Sequence, residues 1–181
     1  MGEPASREPE PNAPLTFESV YAEHRAAVGR ALRFFGVAES SIPDMTQEVF
    51  LVVHRRLQDF EGRSSVRTWL FGIARGIAAN HRRLAHVRHE RPEESPAQEE
   101  GDGVDVEGLV ERRQRVTQLL ALLDQLPTEP RELFVLFEIE GLSMKDAADV
   151  IGCSLATAYR WHRLAREEVV GAYQARHGGG R

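Results

Sequence analysis

The amino-acid sequence predicts an all-α protein made of two small helical modules joined by a flexible acidic linker. Two observations predict this class. Apolar residues recur at three- and four-residue steps through most of the chain, and no long stretch alternates apolar with polar residues as a strand would. From residue 90 to 107 the composition changes to Pro, Glu, Gly, Asp and Gln, which have little to bury. We therefore expect a folded module on each side of this stretch.

Changes in composition also predict where the modules begin and end. Residues 1–14 contain four prolines among polar residues and are expected to form a disordered leader. The first module is expected at 15–91, the linker at 92–108, the second module at 109–175 and a disordered tail at 176–181.

Composition also excludes several classes of protein. The chain has 181 residues, of which 41% are hydrophobic and 28% charged, as in ordinary globular proteins. Its one cysteine, Cys153, excludes an internal disulfide. No apolar run approaches the roughly 20 residues that span a bilayer, and the polar N-terminus does not resemble a signal peptide. The expected location is therefore the cytoplasm.

The formal net charge of −5 conceals a strong division along the chain. Residues 63–91 contain seven arginines against one acid, residues 92–111 contain eight acids and no base, and residues 156–181 are again basic. Two basic segments on either side of an acidic one are compatible with nucleic-acid binding, which the total charge alone would not suggest.

Two helices are expected before the basic segment. The first begins after Thr16, a suitable N-cap, and ends near Phe35. The second begins at Pro43 and buries a stripe consisting of Met45, Val49, Val52 or Val53, and Leu57. Its outer face is polar with one apolar residue, which suits either a partner protein or solvent. This face consists of Gln47, Glu48, Leu51, His54 and Arg55.

A third helix is expected after a short loop, capped by Ser64 or Ser65. Its expected apolar side consists of Val66, Trp69, Leu70, Ile73, Ile77 and Leu84. Its other side consists of Arg67, Arg75, Asn80, His81, Arg82 and Arg83. Aromatic rings stack on bases and guanidinium groups bind phosphates, so this stretch suits single-stranded nucleic acid. The alternative is an ordinary core with a solvated basic face.

No metal, cofactor or catalytic site is expected. His81, His86 and His89 do not fall on one helix face, and neither Cys nor a carboxylate cluster accompanies them. No glycine-rich phosphate loop or Ser-His-Asp arrangement is apparent, which argues against a nuclease or hydrolase.

The second module contains a helix-turn-helix pattern. A short helix capped by Ser143 ends at Gly152, and Ser154 caps a longer basic helix. In that helix Ala158, His162, Ala165 and Val169 are expected to face the core. The residues expected to face outward, where they could contact DNA, are Thr157, Tyr159, Arg160, Trp161, Arg163 and Arg166. A plain helical hairpin is the alternative.

Several motifs together resemble the extracytoplasmic-function (ECF) sigma factors of bacterial RNA polymerase, from about Leu15 to Tyr173. In the first module they are DMTQEVFLVVHRRL and the pattern F-x-G-x-S-x-x-TWL-x-x-IAR, which is formed by Phe60, Gly62, Ser64 and Thr68 to Arg75. In the second module they are LLDQLPTEPRELFVLFEIEGLSMKDAADVIGCS and TAYRWHRLAREE. The resemblance implies a sigma domain 2-like bundle followed by a sigma domain 4-like helix-turn-helix.

The same resemblance implies partners and site residues. Binding to the beta and beta-prime subunits of core polymerase would involve Asp44, Gln47, Glu48, Phe50, Leu51, His54 and Arg55. Capture of the −10 strand would involve Ser64, Arg67, Trp69, Arg75, Asn80, His81, Arg82 and Arg83. Reading of the −35 duplex would involve Ser154, Thr157, Tyr159, Arg160, Trp161, Arg163 and Arg166. An anti-sigma factor, often membrane-anchored in this family, is a further implied partner, and no small-molecule substrate or enzymatic activity is implied.

Three residues depart from the family pattern. Gly76 stands where Asn is common, Trp161 where Arg is usual and His162 where an apolar residue is usual. Trp161 could contact DNA or turn inward in place of His162, and we expect it to be at least partly buried.

Alternatives to a sigma factor are a helix-turn-helix regulator that binds duplex DNA alone and an adaptor that occupies a sigma site on polymerase.

Overall fold

The computed structural model describes residues 15–88 and 117–177. The expected leader, the linker and the end of the tail lie outside these residues. Within the two described stretches every regular element is a helix or a helical turn, and no strand occurs. The predicted all-α class is confirmed.

Three helices form the first described stretch. They are α1 (Phe17–Phe34), α2 (Ile42–Arg56) and α3 (Val66–Arg88). Short 3₁₀ turns at Glu39–Ser41 and Leu57–Asp59 lead into and out of α2. Each of the three helices packs against the other two, which makes a small bundle.

Four helices form the second described stretch. They are α4 (117–123), α5 (Thr128–Phe134), α6 (Met144–Ile151) and α7 (Leu155–His177). A π-helical turn, Val135–Ile139, continues α5 toward α6.

Side-chain caps begin α1, α3, α6 and α7 where the sequence predicts them, whereas α2 and α5 begin without one. The hydroxyl of Thr16 accepts a hydrogen bond from the amide of Ser19, and the hydroxyl of Ser19 accepts one from the amide of Thr16, which completes a capping box. Of the two candidates for α3, Ser65 is the cap, since its Oγ accepts from the Thr68 amide at 3.0 Å. At the other end of a helix, Gly152 closes α6 with φ +80°, a conformation that favours glycine.

The two stretches share one hydrophobic core. The side chains of α1, α2 and α3 pack in the same cluster as apolar residues of the second stretch. Those residues are Leu133, Leu136, Leu142, Met144, Ala147, Ala148, Ile151 and Ala158. Conversely Phe34, at the end of α1, is buried among Leu123, Phe134 and Ala165 of the second stretch. Helical periodicity had predicted the helices but not this packing of one module against the other.

The expected apolar side of α3 was wrong at one position. Leu84 is 47% exposed, while Phe71, Ala74 and Ala78 are buried. The buried residues Leu70, Ala74 and Ala78 recur every four residues. Leu84 lies two seven-residue steps after Leu70, a position that the buried side of the helix no longer includes.

No helix among the described residues is long and apolar enough to cross a membrane.

The packing of the two modules predicts the effect of a substitution at Gly36. Gly36 has φ +82°, and a Cβ there would lie 3.3 Å from Cδ of Arg82 and from Nη2 of Arg131. We expect Gly36→Ala to lower the free energy of unfolding by about 1–3 kcal/mol, because the left-handed backbone and the close neighbours both oppose a side chain. Urea unfolding followed by circular dichroism would measure the change.

A matched control is Gly76→Ala, since Gly76 lies within α3 and a Cβ there would meet open space. This change should raise stability by up to about 1 kcal/mol through helix propensity. Equal effects of the two substitutions would contradict the prediction.

Candidate nucleic-acid and polymerase interfaces

The outer face of α2 is exposed as predicted. Leu51, at 50% exposure, lies at the centre of a polar surface. The exposed polar residues of this surface are Asp44, Gln47, Glu48, His54 and Arg55. An accessible leucine surrounded by charged and polar groups is suited to contact another protein.

Phe50 does not belong to that surface but lies beneath it. It is only 2% exposed, and its ring meets those of Tyr21 and Phe17 edge to face, with centroids 4.8 and 6.4 Å apart. His54 in turn meets Phe17 edge to face at 5.0 Å. Phe50 therefore supports the α2 face from within the core.

Three arginines of α3 that were expected to bind DNA are engaged by the second module. Nη2 of Arg67 donates to Oε2 of Glu140 at 2.7 Å. Nε of Arg75 donates to Oε2 of Glu132 at 2.7 Å, and Nη2 of Arg82 donates to Oε1 of the same carboxylate at 3.0 Å. Charge-assisted hydrogen bonds of this length are among the stronger polar contacts in proteins.

Two further contacts complete this ionic cluster. Arg30 of α1 donates from Nε and Nη2 to the two carboxylate oxygens of Glu140, at 3.3 and 3.4 Å. Arg82 also donates to the carbonyl oxygen of Phe35. The side chains of Glu132 and Glu140 have no exposed surface, so both negative charges are neutralised within the protein.

Glu132 and Glu140 were missed in the sequence, although a signal for them exists. In an ideal helix, residues at i, i+4 and i+8 lie near one face, and here these are Glu132, Leu136 and Glu140. Leu136 belongs to the buried stripe. Acids on both sides of a core leucine indicate buried charges that need basic partners.

The other residues expected near the −10 strand remain at least partly accessible. Trp69 is half-buried and packs against Phe60, with ring centroids 5.1 Å apart. Asn80 is exposed, and its Oδ1 accepts a hydrogen bond from Arg83 at 2.9 Å. Ser64 and His81 are partly exposed.

Helices α6 and α7 of the second module form a helix-turn-helix. Ala147 and Ala148 of α6 are buried together with Ala158 of α7, so small side chains let the two helices approach closely. The outward residues of α7 are exposed, and they are Tyr159, Arg160, Arg163 and Arg166. At the start of α7, Oγ of Ser154 caps the amide of Thr157 at 3.2 Å.

Trp161 and His162 both turn partly inward. Trp161 packs against the shared core, which agrees with the expectation of partial burial. The ring of His162 lies between two others, stacked on Phe134 with centroids 6.3 Å apart and edge to face with Phe137 at 4.9 Å. Its Nε2 lies 2.7 Å from Oε1 of Glu138, so a polar partner compensates the histidine at an otherwise apolar position.

Two groups near the ionic cluster have shifted pKa values. Burial is the main cause that lowers the pKa of His24; Glu23 opposes this shift and Arg67 adds to it. Burial raises the pKa of the Cys153 thiol, against the influence of Arg75. Cys153 is therefore a neutral thiol at physiological pH rather than an activated nucleophile. Within the described residues, no group of His, Cys, Asp or Glu is placed to hold a metal ion.

Comparisons with known proteins identify both modules. Residues 20–86 match the family described as Sigma-70 region 2, and residues 117–169 match Sigma-70, region 4. The RNA polymerase sigma factor CnrH of Cupriavidus metallidurans is 32% identical over 149 residues, which are 77% of this chain and 76% of CnrH. The chain belongs to the ECF RNA polymerase sigma factors. The resemblance seen in the sequence is thereby confirmed.

Other relatives agree with this assignment. The ECF RNA polymerase sigma factor SigC of Mycobacterium tuberculosis (strain CDC 1551 / Oshkosh) is 36% identical over 117 residues. That match spans 65% of this sigma factor and 62% of SigC. A solved structure of CnrH in complex with the cytosolic domain of CnrY is similar with a TM-score of 0.65 and 26% identity, and the match covers 88% of each chain.

The orientation of Trp161 predicts how this sigma factor responds to substitution. Trp161→Ala should lower the free energy of unfolding by about 2 kcal/mol, less than for a fully buried tryptophan, because part of the ring packs in the core. Tyr159→Ala is the matched control, since Tyr159 is 56% exposed and its loss should change stability by no more than about 0.5 kcal/mol. Urea unfolding of the three proteins would measure both values. If neither substitution lowered stability, Trp161 would not be a core residue.

Proposed function

We propose that this chain binds core RNA polymerase and directs it to specific promoters. The observation that carries the proposal is the presence of sigma-70 regions 2 and 4, in that order, in one chain of the ECF family. The alignment with CnrH covers 77% of this chain, more than either module alone, so the likeness involves both modules.

The α2 face is the proposed docking site for the beta and beta-prime subunits. Leu51 would enter an apolar pocket of the polymerase, and polar neighbours such as Gln47 and Arg55 would form the rim. Exposure of the whole face in the described structure supports this role. The burial of Phe50 supports it too, because a rigid aromatic base keeps α2 in place.

The loop before α3 and α3 itself are the proposed site for the non-template strand of the −10 element. Arg67, Arg75 and Arg82 would bind phosphates, Trp69 would stack or support a base, and Asn80 would read a base edge. Ser64, His81 and Arg83 complete this proposed set. Stacking and phosphate contacts can offset the few kcal/mol that separating a base pair costs.

Helix α7 is the proposed reader of the −35 element in duplex form. Tyr159, Arg160, Arg163 and Arg166 are exposed on one helix, as major-groove recognition requires. Thr157 and the capping Ser154, at the N-terminus of α7, would contact the sugar-phosphate backbone of the DNA. Trp161, which is partly buried, would contribute mainly by fixing the position of α7.

Catalysis of RNA synthesis would belong to the polymerase, so the chain itself would be no enzyme and would act in the cytoplasm. A protein partner that holds it inactive is also proposed. CnrH has been solved with the cytosolic domain of CnrY, and an anti-sigma factor could occupy this chain in a similar way.

The proposal predicts promoter-specific transcription in vitro. Purified chain added to core RNA polymerase on fragments of the source genome should produce transcripts with defined start sites that are absent without the chain. Aligned upstream sequences should then show two conserved elements. Tight duplex binding by the chain alone, without specific transcripts, would instead indicate a stand-alone regulator, and polymerase binding without open complexes would indicate an adaptor.

The proposed docking face predicts a second result. Leu51→Glu should weaken binding to core polymerase by about tenfold or more, because a charge would replace the apolar centre of the interface. Leu84→Glu is the matched control, since Leu84 is similarly exposed but lies on α3. Binding would be measured with fluorescently labelled chain and no DNA. Equal losses in both variants would show that α2 is not the docking face.

A further inference from the structure

We propose that Glu138 is a positioning residue for the reading of the −35 element, and that it acts through His162 of α7. This inference rests on the proposed role of α7 in promoter recognition and deepens it. Neither residue belongs to the proposed DNA-binding set. Both lie within the second module, so the inference concerns how that module holds its own recognition helix.

The first argument is the environment of His162. Its ring lies between two phenylalanines, stacked on Phe134 with an interplanar angle of 18° and edge to face with Phe137 at 78°. Phe134 is buried, Phe137 packs against the shared core, and the side chain of His162 is only 18% exposed. Ring contacts on two sides hold the imidazole plane in one orientation.

The second argument is the hydrogen bond at the edge of this ring. Nε2 of His162 lies 2.7 Å from Oε1 of Glu138. Because an ionised carboxylate can only accept, Nε2 carries a hydrogen and donates it. A short hydrogen bond to a charged group depends strongly on distance and angle, whereas an apolar contact has no preferred direction. The pair therefore fixes the position of α7 along its axis as well as its distance from α5.

A π-helical turn carries the carboxylate. It spans Val135–Ile139, and the amide of Glu140 donates to the carbonyl oxygen of Val135 at 2.9 Å. Glu138 lies inside this turn, and its side chain is 37% exposed. Single π-helical turns are rare and are frequent at functional sites. The departure from a regular α-helix coincides here with the contact to α7.

The third argument is that proposed DNA contacts lie around His162 on the same helix. Tyr159 lies three residues before it, Arg166 lies four residues after it, and Arg163 is adjacent. All three are exposed, and residues three or four apart are neighbours on a helix surface. A shift of α7 at His162 would move these side chains together. Base contacts depend on exact geometry, whereas the attraction of phosphates does not depend on sequence, so such a shift should lower sequence discrimination most.

Charge alone predicts the opposite effect for Glu138. An acid near a DNA-binding helix repels phosphates, so its removal should strengthen binding to any duplex. Positioning predicts instead that its removal weakens the preference for the correct −35 sequence. The direction of the change therefore separates the two roles.

The test uses three variants of the full chain. Glu138→Ala removes the acceptor, and Glu138→Gln keeps a carbonyl oxygen that can accept the same hydrogen bond. The matched control is Glu129→Ala, which removes an exposed acid from the first turn of α5. Each variant would be combined with core RNA polymerase.

The measurement is transcription in vitro from a promoter identified with the wild type and from two derivatives of it. One derivative has its −35 element replaced, and the other has one base of its −10 element changed. The transcript ratio between the intact promoter and each derivative gives the −35 discrimination and the −10 discrimination. A smaller fraction of folded protein would lower all transcripts and leave both ratios unchanged.

We expect Glu138→Ala to lower the −35 discrimination by about fivefold, since losing one well-placed base contact costs at least about this factor. Its −10 discrimination should stay within about twofold of the wild type, because the first module is unaltered. Glu138→Gln and the control Glu129→Ala should stay within about twofold of the wild type in both ratios.

A double variant tests whether Glu138 acts through His162. Leucine cannot donate a hydrogen bond, so Glu138 has no partner in the variant H162L. The −35 discrimination of H162L and of H162L/E138A should therefore agree within about twofold.

Three results would overturn the inference while leaving the proposed function intact. They are an unchanged −35 discrimination in Glu138→Ala, an equal loss in Glu138→Gln, and a full loss on removal of Glu138 from H162L. Absence of specific transcripts with the wild type, or of any −35 preference, would reject the proposed function and this inference with it. The two failures are distinguishable, because the second is seen before any variant is made.

Discussion

The burial of two glutamates against four arginines is the constraint on which the arrangement of the modules depends. A carboxylate without exposed surface is tolerated only where cations and hydrogen bonds replace water. Arg75 and Arg82 supply these for Glu132, and Arg30 and Arg67 supply them for Glu140. The apolar cluster also crosses from one module to the other, so charge and hydrophobic burial favour the same packing of the two modules.

Local features of the sequence predicted the helices and the faces they expose. Capping residues such as Thr16 and Ser143, the glycine at 152, and three- to four-residue spacing all act within one or two turns of helix. The polar surface around Leu51 and the outward residues of α7 follow from the same spacing. The error at Leu84 shows its limit, because a stripe can be extended along the chain beyond the point where a neighbour still covers it.

The contacts between modules could not be predicted in this way. Arg75 and Arg82 fit a solvated basic face or a DNA-binding face equally well, since their partner lies 57 and 50 residues away. Periodicity carries no information on which helix will meet which, and pairing over such distances depends on the whole surface of both modules. Only the position of Glu132 and Glu140 on an apolar stripe gave a local indication that they need partners.

The position of Phe34 constrains how far the two halves of this sigma factor can evolve independently. It lies at the end of α1, yet its ring is buried among residues of α4, α5 and α7. Together with the glutamate–arginine pairs, its burial makes the surface of each half complementary to that of the other, so the halves are not interchangeable. Recombination that joined the first half to the second half of a relative would lose this packing between the halves unless matching acids and a matching aromatic pocket came with the new half.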